Sequence, residues 1–193
     1  MPPAPTAHRI AAAARRLLDR EGADAVTMRR VAEATGITAM AIYRHYPDRA
    51  ALLNALANEG FAQLAARFER ARMPSGIEAR LLKMSDLYLD HALAYPRLFE
   101  LMFLSPRAGA RRFPSDFKAG RSPTANLSVA LIRDAIAEGY LRDDDPWEIT
   151  FEMSALFDGL ILLYLGGRVD GSAARFRALF RRCVRRYLRG IRR

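Results

Sequence analysis

Cysteine is almost missing from this sequence. Cys183 is the only one in 193 residues, so no intrachain disulfide can form and a reducing compartment is expected. Histidine is scarce as well, limited to His8, His45 and His91, and no Cys-x-x-Cys, Gly-x-Ser-x-Gly, P-loop or dinucleotide fingerprint occurs. Catalysis therefore lacks convergent groups to carry it, and we expect no enzyme, no catalytic residue, no metal and no cofactor. A long apolar run is also lacking. The best stretch, Ile149 to Leu165, is broken by Glu152 and Asp158 and is too short for a bilayer. The opening residues, Met1 to His8, lack the basic start and apolar core of a secretory signal. A cytoplasmic location without a membrane partner is the expectation. Strand signals are few, with no sustained alternation of apolar and polar residues and no Asn-Gly hairpin.

What the chain does have is helical spacing and positive charge. Its length suits one full domain or a small one joined to a medium one. A hydrophobic fraction of 51% with 27% charged residues excludes a mainly disordered chain. The net charge is +10, but it is unevenly placed. Residues 1–60 carry eight Arg against six acids, and residues 61–174 are close to neutral. The last nineteen residues, Arg175 to Arg193, hold nine Arg and no acid. Net charge alone is thus weak support for a nucleic-acid partner, and that reading needs a motif.

Along the chain, Ile10, Ala14, Leu17 and Leu18 form one apolar face of a helix near 7–21 that stops at Gly22. Thr27 caps a second helix near 27–34 closed by Gly36, and Thr38 caps a third near 38–45 that ends before Pro47. Asp48 caps a long helix over 48–72. Pro74-Ser75-Gly76 breaks the chain, a helix follows from Ile77, and Pro96 opens another through Phe99 to Leu104. Ser105 to Pro123, with three Pro and two Gly, reads as a long flexible loop. Helices resume at 124–138, 146–165 and 172–189, giving an all-α fold of about nine helices. Asp143-Asp144-Asp145-Pro146 reads as a turn and helix start rather than a chelating triplet.

The second and third helices are joined by Ala34-Thr35-Gly36-Ile37, the spacing of a helix-turn-helix, with Gly where the turn requires positive φ. Such spacing also fits a three-helix scaffold without a nucleic-acid role. The stretch VTMRRVAEATGITAMAIYRHYPDRAALLNAL, Val26 to Leu56, resembles the DNA-binding domain of the TetR/AcrR family of transcriptional regulators. The likeness runs from Ile10 to Leu56 and includes the Gly22 turn, the Thr27 cap, Val31-Ala32, Gly36-Ile37 and the Ile-Tyr-x-His-Tyr-Pro run. It implies a helix-turn-helix DNA-binding domain over 1–50 and a larger helical effector-binding and dimerisation domain over 51–193.

The resemblance also implies roles. Arg29 matches a position that often reads bases, and a guanidinium can bond guanine bidentately. Thr27, Tyr43, His45 and Arg49 match positions that grip phosphates. Thr38, Ala39 and Met40 open the third helix and face the bases; Ala39 and Met40 cannot donate, so they would sense thymine methyls or shape. Arg44 replaces an aromatic sometimes found beside the Tyr, so its contact is open. The partners implied are double-stranded DNA with a pseudo-palindromic operator, a second copy of the chain in a homodimer, and a small-molecule effector. A repressor released by that effector is the expectation.

Beyond Leu56 the resemblance weakens. Tyr95–Phe103 and Phe157–Leu160 fall where the family has similar segments. An effector pocket needs apolar walls with a few polar groups. From the fifth helix we take Met84, Leu87, Tyr88 and His91 as candidates, from the sixth Phe99, Met102 and Phe103. Leu127, Leu131, Phe151 and Phe157 complete the set, and their Phe and Met content points to a hydrophobic effector. All of these also suit a plain core. Asp86, Asp90 and His91 share a helix face but read as solvated. The tail helix carries an apolar stripe and an Arg face; it suits a dimer bundle best, with a membrane-surface helix or a second DNA contact as alternatives. In the alternative reading of the whole protein, that tail makes it a basic nucleic-acid- or membrane-associated protein. Cys183 reads as a buried hydrophobe rather than a redox sensor.

Overall fold

The computed structural model describes residues 6–193, so the expectation for the extreme amino terminus falls partly on residues 1–5, outside the described ones. Ten α-helices and no strand are found among the described residues. None of these helices is long and apolar enough to cross a membrane. The chain forms two compact units, one from residues up to 61 together with 95–110, the other from 62–94 and 111–193.

In the first unit, α1 (Thr6–Glu21) buries Ile10, Ala13, Ala14, Leu17 and Leu18 at i, i+3, i+4 spacing. Gly22, at φ 88°, ends it, and a 3-10 turn over Ala23–Ala25 leads on. The caps read from the sequence are all present. Thr27 accepts from the Arg30 amide to open α2 (Met28–Thr35), and Thr38 accepts from the Ala41 amide to open α3 (Ala39–Tyr43). The Asp48 carboxylate accepts from the Ala51 amide at 2.7 Å, opening α4 (Arg49–Arg70). Each such cap contributes about 1 kcal/mol by satisfying an orphan amide. Gly36 holds φ 68° and ψ 27°, the left-handed position that turns the chain between α2 and α3.

The core of this unit takes a wall from later in the chain. Helix α6 (Pro96–Phe99) continues into a π-helical turn over Glu100–Leu104, and Leu98, Phe99, Leu101 and Met102 are buried. Met102 fits against a residue without a side chain: a Cβ at Gly60 would lie 2.5 Å from its Sδ. Arg107 then donates to the carbonyls of Leu101 and Met102, at 2.9 and 3.0 Å, and to the Asn54 amide oxygen at 3.0 Å. These bonds satisfy carbonyls that the end of a helical turn leaves without internal partners.

The second unit is a bundle in which α5 (Ile77–Ala94), α8 (Pro123–Ala137), α9 (Pro146–Leu165) and α10 (Ala173–Gly190) pack on one another. Leu81, Leu89, Ile132, Ile161, Phe176, Phe180 and Val184 fill it. Asp145 caps α9 through the Trp147 amide, as the Asp-Pro pattern suggested. The apolar stripe of α10, including Phe176, Phe180, Val184 and Leu188, is buried in this bundle. No apolar face of α10 remains for a membrane surface. Cys183 is half-buried.

Two expectations are corrected here. The segment after Ser105 is not a loop throughout, because it contains a tenth helix, α7 (Ser115–Lys118). Its polar groups close locally: the Asp116 carboxylate accepts from the Arg112 amide and the Arg121 guanidinium, and Arg111 donates to the Arg121 carbonyl at 2.6 Å. Asp86 and Asp90 are not simply solvated, since Arg181 grips both oxygens of Asp86 at 2.7 Å and Arg177 pairs with Asp90. Their charge is met by α10.

Candidate nucleic-acid interface

The α2–α3 pair shows which side chains could meet a duplex. In α3 only Ile42 is fully buried, and it anchors the helix to the unit. Thr38, Met40, Tyr43, Arg44 and His45 are exposed, whereas Ala39 and Thr27 are half-buried. Met40 is 69% exposed, high for an apolar side chain. A five-residue helix anchored by one isoleucine, with Ala39 and Ala41 half-buried, presents Met40 and Tyr43 outward. Thr27 and Thr38 use their hydroxyl oxygens as caps, and each hydroxyl keeps a proton to donate.

The cations here have unequal duties. Arg29, on α2, has a side chain 85% exposed, and its Nε lies 3.9 Å from Glu33, at the limit of an ion pair. Arg30, its neighbour, is held bidentately by Glu21 at 2.7 and 2.8 Å. That bond raises the Arg30 pKa and lowers that of Glu21. Arg49 donates to the carbonyls of Val26 at 2.8 Å and Ala23 at 2.7 Å, with Asp24 at 3.6 Å. It fastens the start of α4 to the turn between α1 and α2. Arg9, which the sequence reading passed over, donates to the Thr35 carbonyl at 2.9 Å and so closes the end of α2. No local signal announces a bond across twenty-six residues.

The effector candidates separate into the two units. Phe99 and Met102 are buried in the first, with half-buried Phe103 packed edge-on against Phe61 and tilted against Phe99 at centroid distances of 5.1 and 4.7 Å. In the second, Tyr88, His91, Leu131 and Phe157 are buried, while Met84, Leu87 and Leu127 are half-buried. Phe151 is exposed and stacks on Phe113 at 4.3 Å. Within the second unit, the Tyr88 hydroxyl donates to Asp158 at 2.5 Å, and Tyr88 lies 5.5 Å from the ring of Phe157. Burial raises the Asp158 pKa to about 6, against the lowering effect of the Tyr88 bond. Burial, and then the Asp158 charge, raises that of Tyr88. Asp158 is absent from the sequence-based candidates, because it stood there as a break in an apolar run and as one member of the Phe157–Leu160 segment.

A capped helix, a left-handed glycine and a short outward helix define a helix-turn-helix protein. The family described as bacterial regulatory proteins, tetR family, matches residues 10–56, and the tetracyclin repressor-like C-terminal domain matches residues 81–187. The chain belongs to the tetR family of bacterial transcriptional regulators. Among solved structures, it is similar to a protein with unknown function from Rhodococcus sp. RHA1, at 29% identity and a TM-score of 0.82, covering 100% of this chain and 98% of that one. It also resembles a bacterial regulatory protein in the tetR family from Rhodococcus RHA1, at 22% identity and 0.65, covering 96% of each. A TetR variant from Acinetobacter baumannii AYE, in complex with minocycline, aligns at 23% identity and 0.67 over 94% of this chain and 93% of that one. No curated protein matches the chain.

Proposed function

We propose that the protein is a cytoplasmic homodimeric repressor that binds a pseudo-palindromic operator and leaves it when a small hydrophobic effector binds. One observation carries this reading: α3 is anchored by Ile42 alone and turns Thr38, Met40 and Tyr43 to solvent. A helix so presented can enter a major groove about 12 Å wide. In this reading Arg29 reads bases together with Thr38, Ala39 and Met40. Thr27, Tyr43 and His45 hold phosphates, and exposed Arg44 stands beside them with its contact open. Arg49 acts mainly by fixing the turn that precedes α2.

Two copies are needed because residues 1–60 carry a net charge of only +2. Paired helices about one helical turn apart double the contact with the duplex. Exposed Phe151, Leu162, Leu163 and Leu165 on α9, with Gly159 open beside them, supply an apolar surface for the second copy. The effector site proposed lies in the second unit around Tyr88, Asp158 and Phe157, where apolar walls surround one polar pair. The minocycline complex of the Acinetobacter protein supports a small molecule in that role. Helix α4 contributes residues to both units, so effector binding can act on it, with 71–76 as the place where the chain gives. Only a ligand with different affinities for the two states can drive such a change.

Selection of binding sites from random duplexes with the purified protein tests the reading. An enriched, two-fold symmetric site is expected, released by members of a hydrophobic small-molecule panel. Recovery of no enriched sequence would refute it.

A further inference from the structure

The side of α9 that meets α5 is short of hydrogen-bond donors. The Asp158 carboxylate turns to α5, where its partner is the Tyr88 hydroxyl at 2.5 Å. An ionised carboxylate can accept about four hydrogen bonds, and Tyr88 supplies one. One turn earlier on α9, Ser154 donates its hydroxyl proton to the Thr150 carbonyl at 3.0 Å. Thr150 in turn donates to the Pro146 carbonyl at 2.7 Å. With their protons spent inside the helix, both hydroxyls offer only lone pairs beyond it. Positive charge is missing too. Burial and the Tyr88 bond act on the Asp158 carboxyl, and among the described residues no cation adds to them. The cations that α10 turns to α5 are taken, Arg177 by Asp90 and Arg181 by both oxygens of Asp86. The walls are rings: Phe157 lies 5.5 Å from Tyr88 and 5.2 Å from Phe180, and all three are buried. Asp158 itself is half-buried, so its carboxylate stays within reach of a ligand.

A place with acceptors, one negative charge and aromatic walls selects among head groups. An anion is repelled by Asp158. A hard divalent cation needs about six oxygen ligands, and among the described residues no group of three His, Cys, Asp or Glu is assembled. A neutral hydroxyl fills one lone pair and leaves the charge unmet. An ammonium brings three donors, no acceptor and the charge that the carboxylate lacks. Ring faces nearby attract the same cation. Burial holds the Asp158 carboxyl up to about 6, so at neutral pH the free chain keeps an ionised group where its surroundings disfavour it. A cation set against it relieves that cost.

We propose that the effector is a hydrophobic, ring-bearing amine whose ammonium is held by Asp158, with Tyr88 and Phe157 against its apolar body. This rests on the reading of the chain as an effector-released regulator with its pocket in the second unit, and adds to it the charge of the effector. Asp158 is the residue that selects the amine. Tyr88 is a positioning residue, since its hydroxyl fixes one carboxylate oxygen and leaves the other to the ligand.

The test uses the full chain without DNA and isothermal titration calorimetry at neutral pH. The probes are phenylpropylamine, phenylbutylamine and naphthylethylamine, each beside the alcohol and the carboxylate of the same skeleton. In at least one set the amine should bind about tenfold or more tighter than its alcohol, and the carboxylate should bind more weakly than both. Asp158→Asn should bring amine and alcohol to equal affinity, whereas Asp158→Glu should keep part of the difference. The comparison on the unaltered chain stands alone if a variant does not fold. Amines no tighter than their alcohols in every set would overturn the proposal, as would an advantage that survives Asp158→Asn. The two readings fail separately: an amine that binds through Asp158 and releases no selected operator sinks only the regulator, whereas release by alcohols and amines alike sinks only the amine.

Discussion

Arg29 and Arg49 carry the same charge, and their surroundings give them different work. Arg29 reaches into solvent with only a distant Glu33 beside it, whereas Arg49 spends its donors on the carbonyls of Ala23 and Val26. Arg29→Ala should relax base preference at one position of each half-site, at a cost of about 1–3 kcal/mol, seen by comparing operators with single base changes. An equal loss on every sequence would deny it a base. Arg49→Ala should lower unfolding free energy by about 1–2 kcal/mol and weaken all duplexes alike, as read by urea denaturation and by binding. The exposure of Arg29 was legible from helix spacing. The carbonyl partners of Arg49 were not, because a contact across more than twenty residues leaves no local trace. Asp158 supplies a third residue-scale expectation. Its folded pKa of about 6 stands above the ordinary carboxylate value of 3.8, so the native state binds the extra proton. Stability attributable to this group is therefore full below pH 4 and lost as pH rises through 6. Asp158→Asn should remove that decline and raise stability at pH 7 by about 2 kcal/mol relative to its effect at pH 4. Denaturation series at the two pH values measure it.

The elements were readable where a capping residue and an apolar period coincide. Thr27, Thr38 and Asp48 each announced a helix start, and Gly36 announced the turn, because each acts on amides within three residues of itself. Helix α7 was hidden because Pro114 and Gly120 flank a segment with too few apolar residues to show a period, and its closure depends on Asp116. The π turn at Glu100–Leu104 was also illegible, since its helical sequence does not state how many residues each turn takes. Gly60 depends on that turn. An alanine there would gain helix propensity, about 1 kcal/mol, but must displace Met102 and press on Leu98 Cδ2, which lies 3.0 Å from the added carbon. Gly60→Ala should be net destabilising by about 1 kcal/mol, and nearly neutral or stabilising when made in a Met102→Ala background. A double-mutant cycle in urea reads the coupling.

At the scale of the whole molecule, two faces of the second unit have opposite character. Helix α9 exposes Leu162, Leu163 and Leu165, while α10 exposes arginines. In the proposed dimer, the self-complementary seam lies on the first. Leu162→Asp with Leu165→Asp should convert dimers to monomers in sedimentation and reduce operator affinity by about a hundredfold, as the second half-site ceases to be held at high effective concentration. The helical class of the fold was plain in the sequence, because every long segment keeps one period. The return of 95–110 to the first unit was not plain, because it joins residues that the sequence sets far apart. That return limits how the protein can be divided. A fragment cut after Phe61 would lose Leu98, Phe99 and Met102, stripping Phe61 of the Phe103 ring and Gly60 of the side chains packed over it. Chimeras that exchange reading heads between relatives must therefore transplant two pieces of chain, the opening sixty residues and the stretch from Tyr95 to Ala110, or the graft will arrive with its interior open to water.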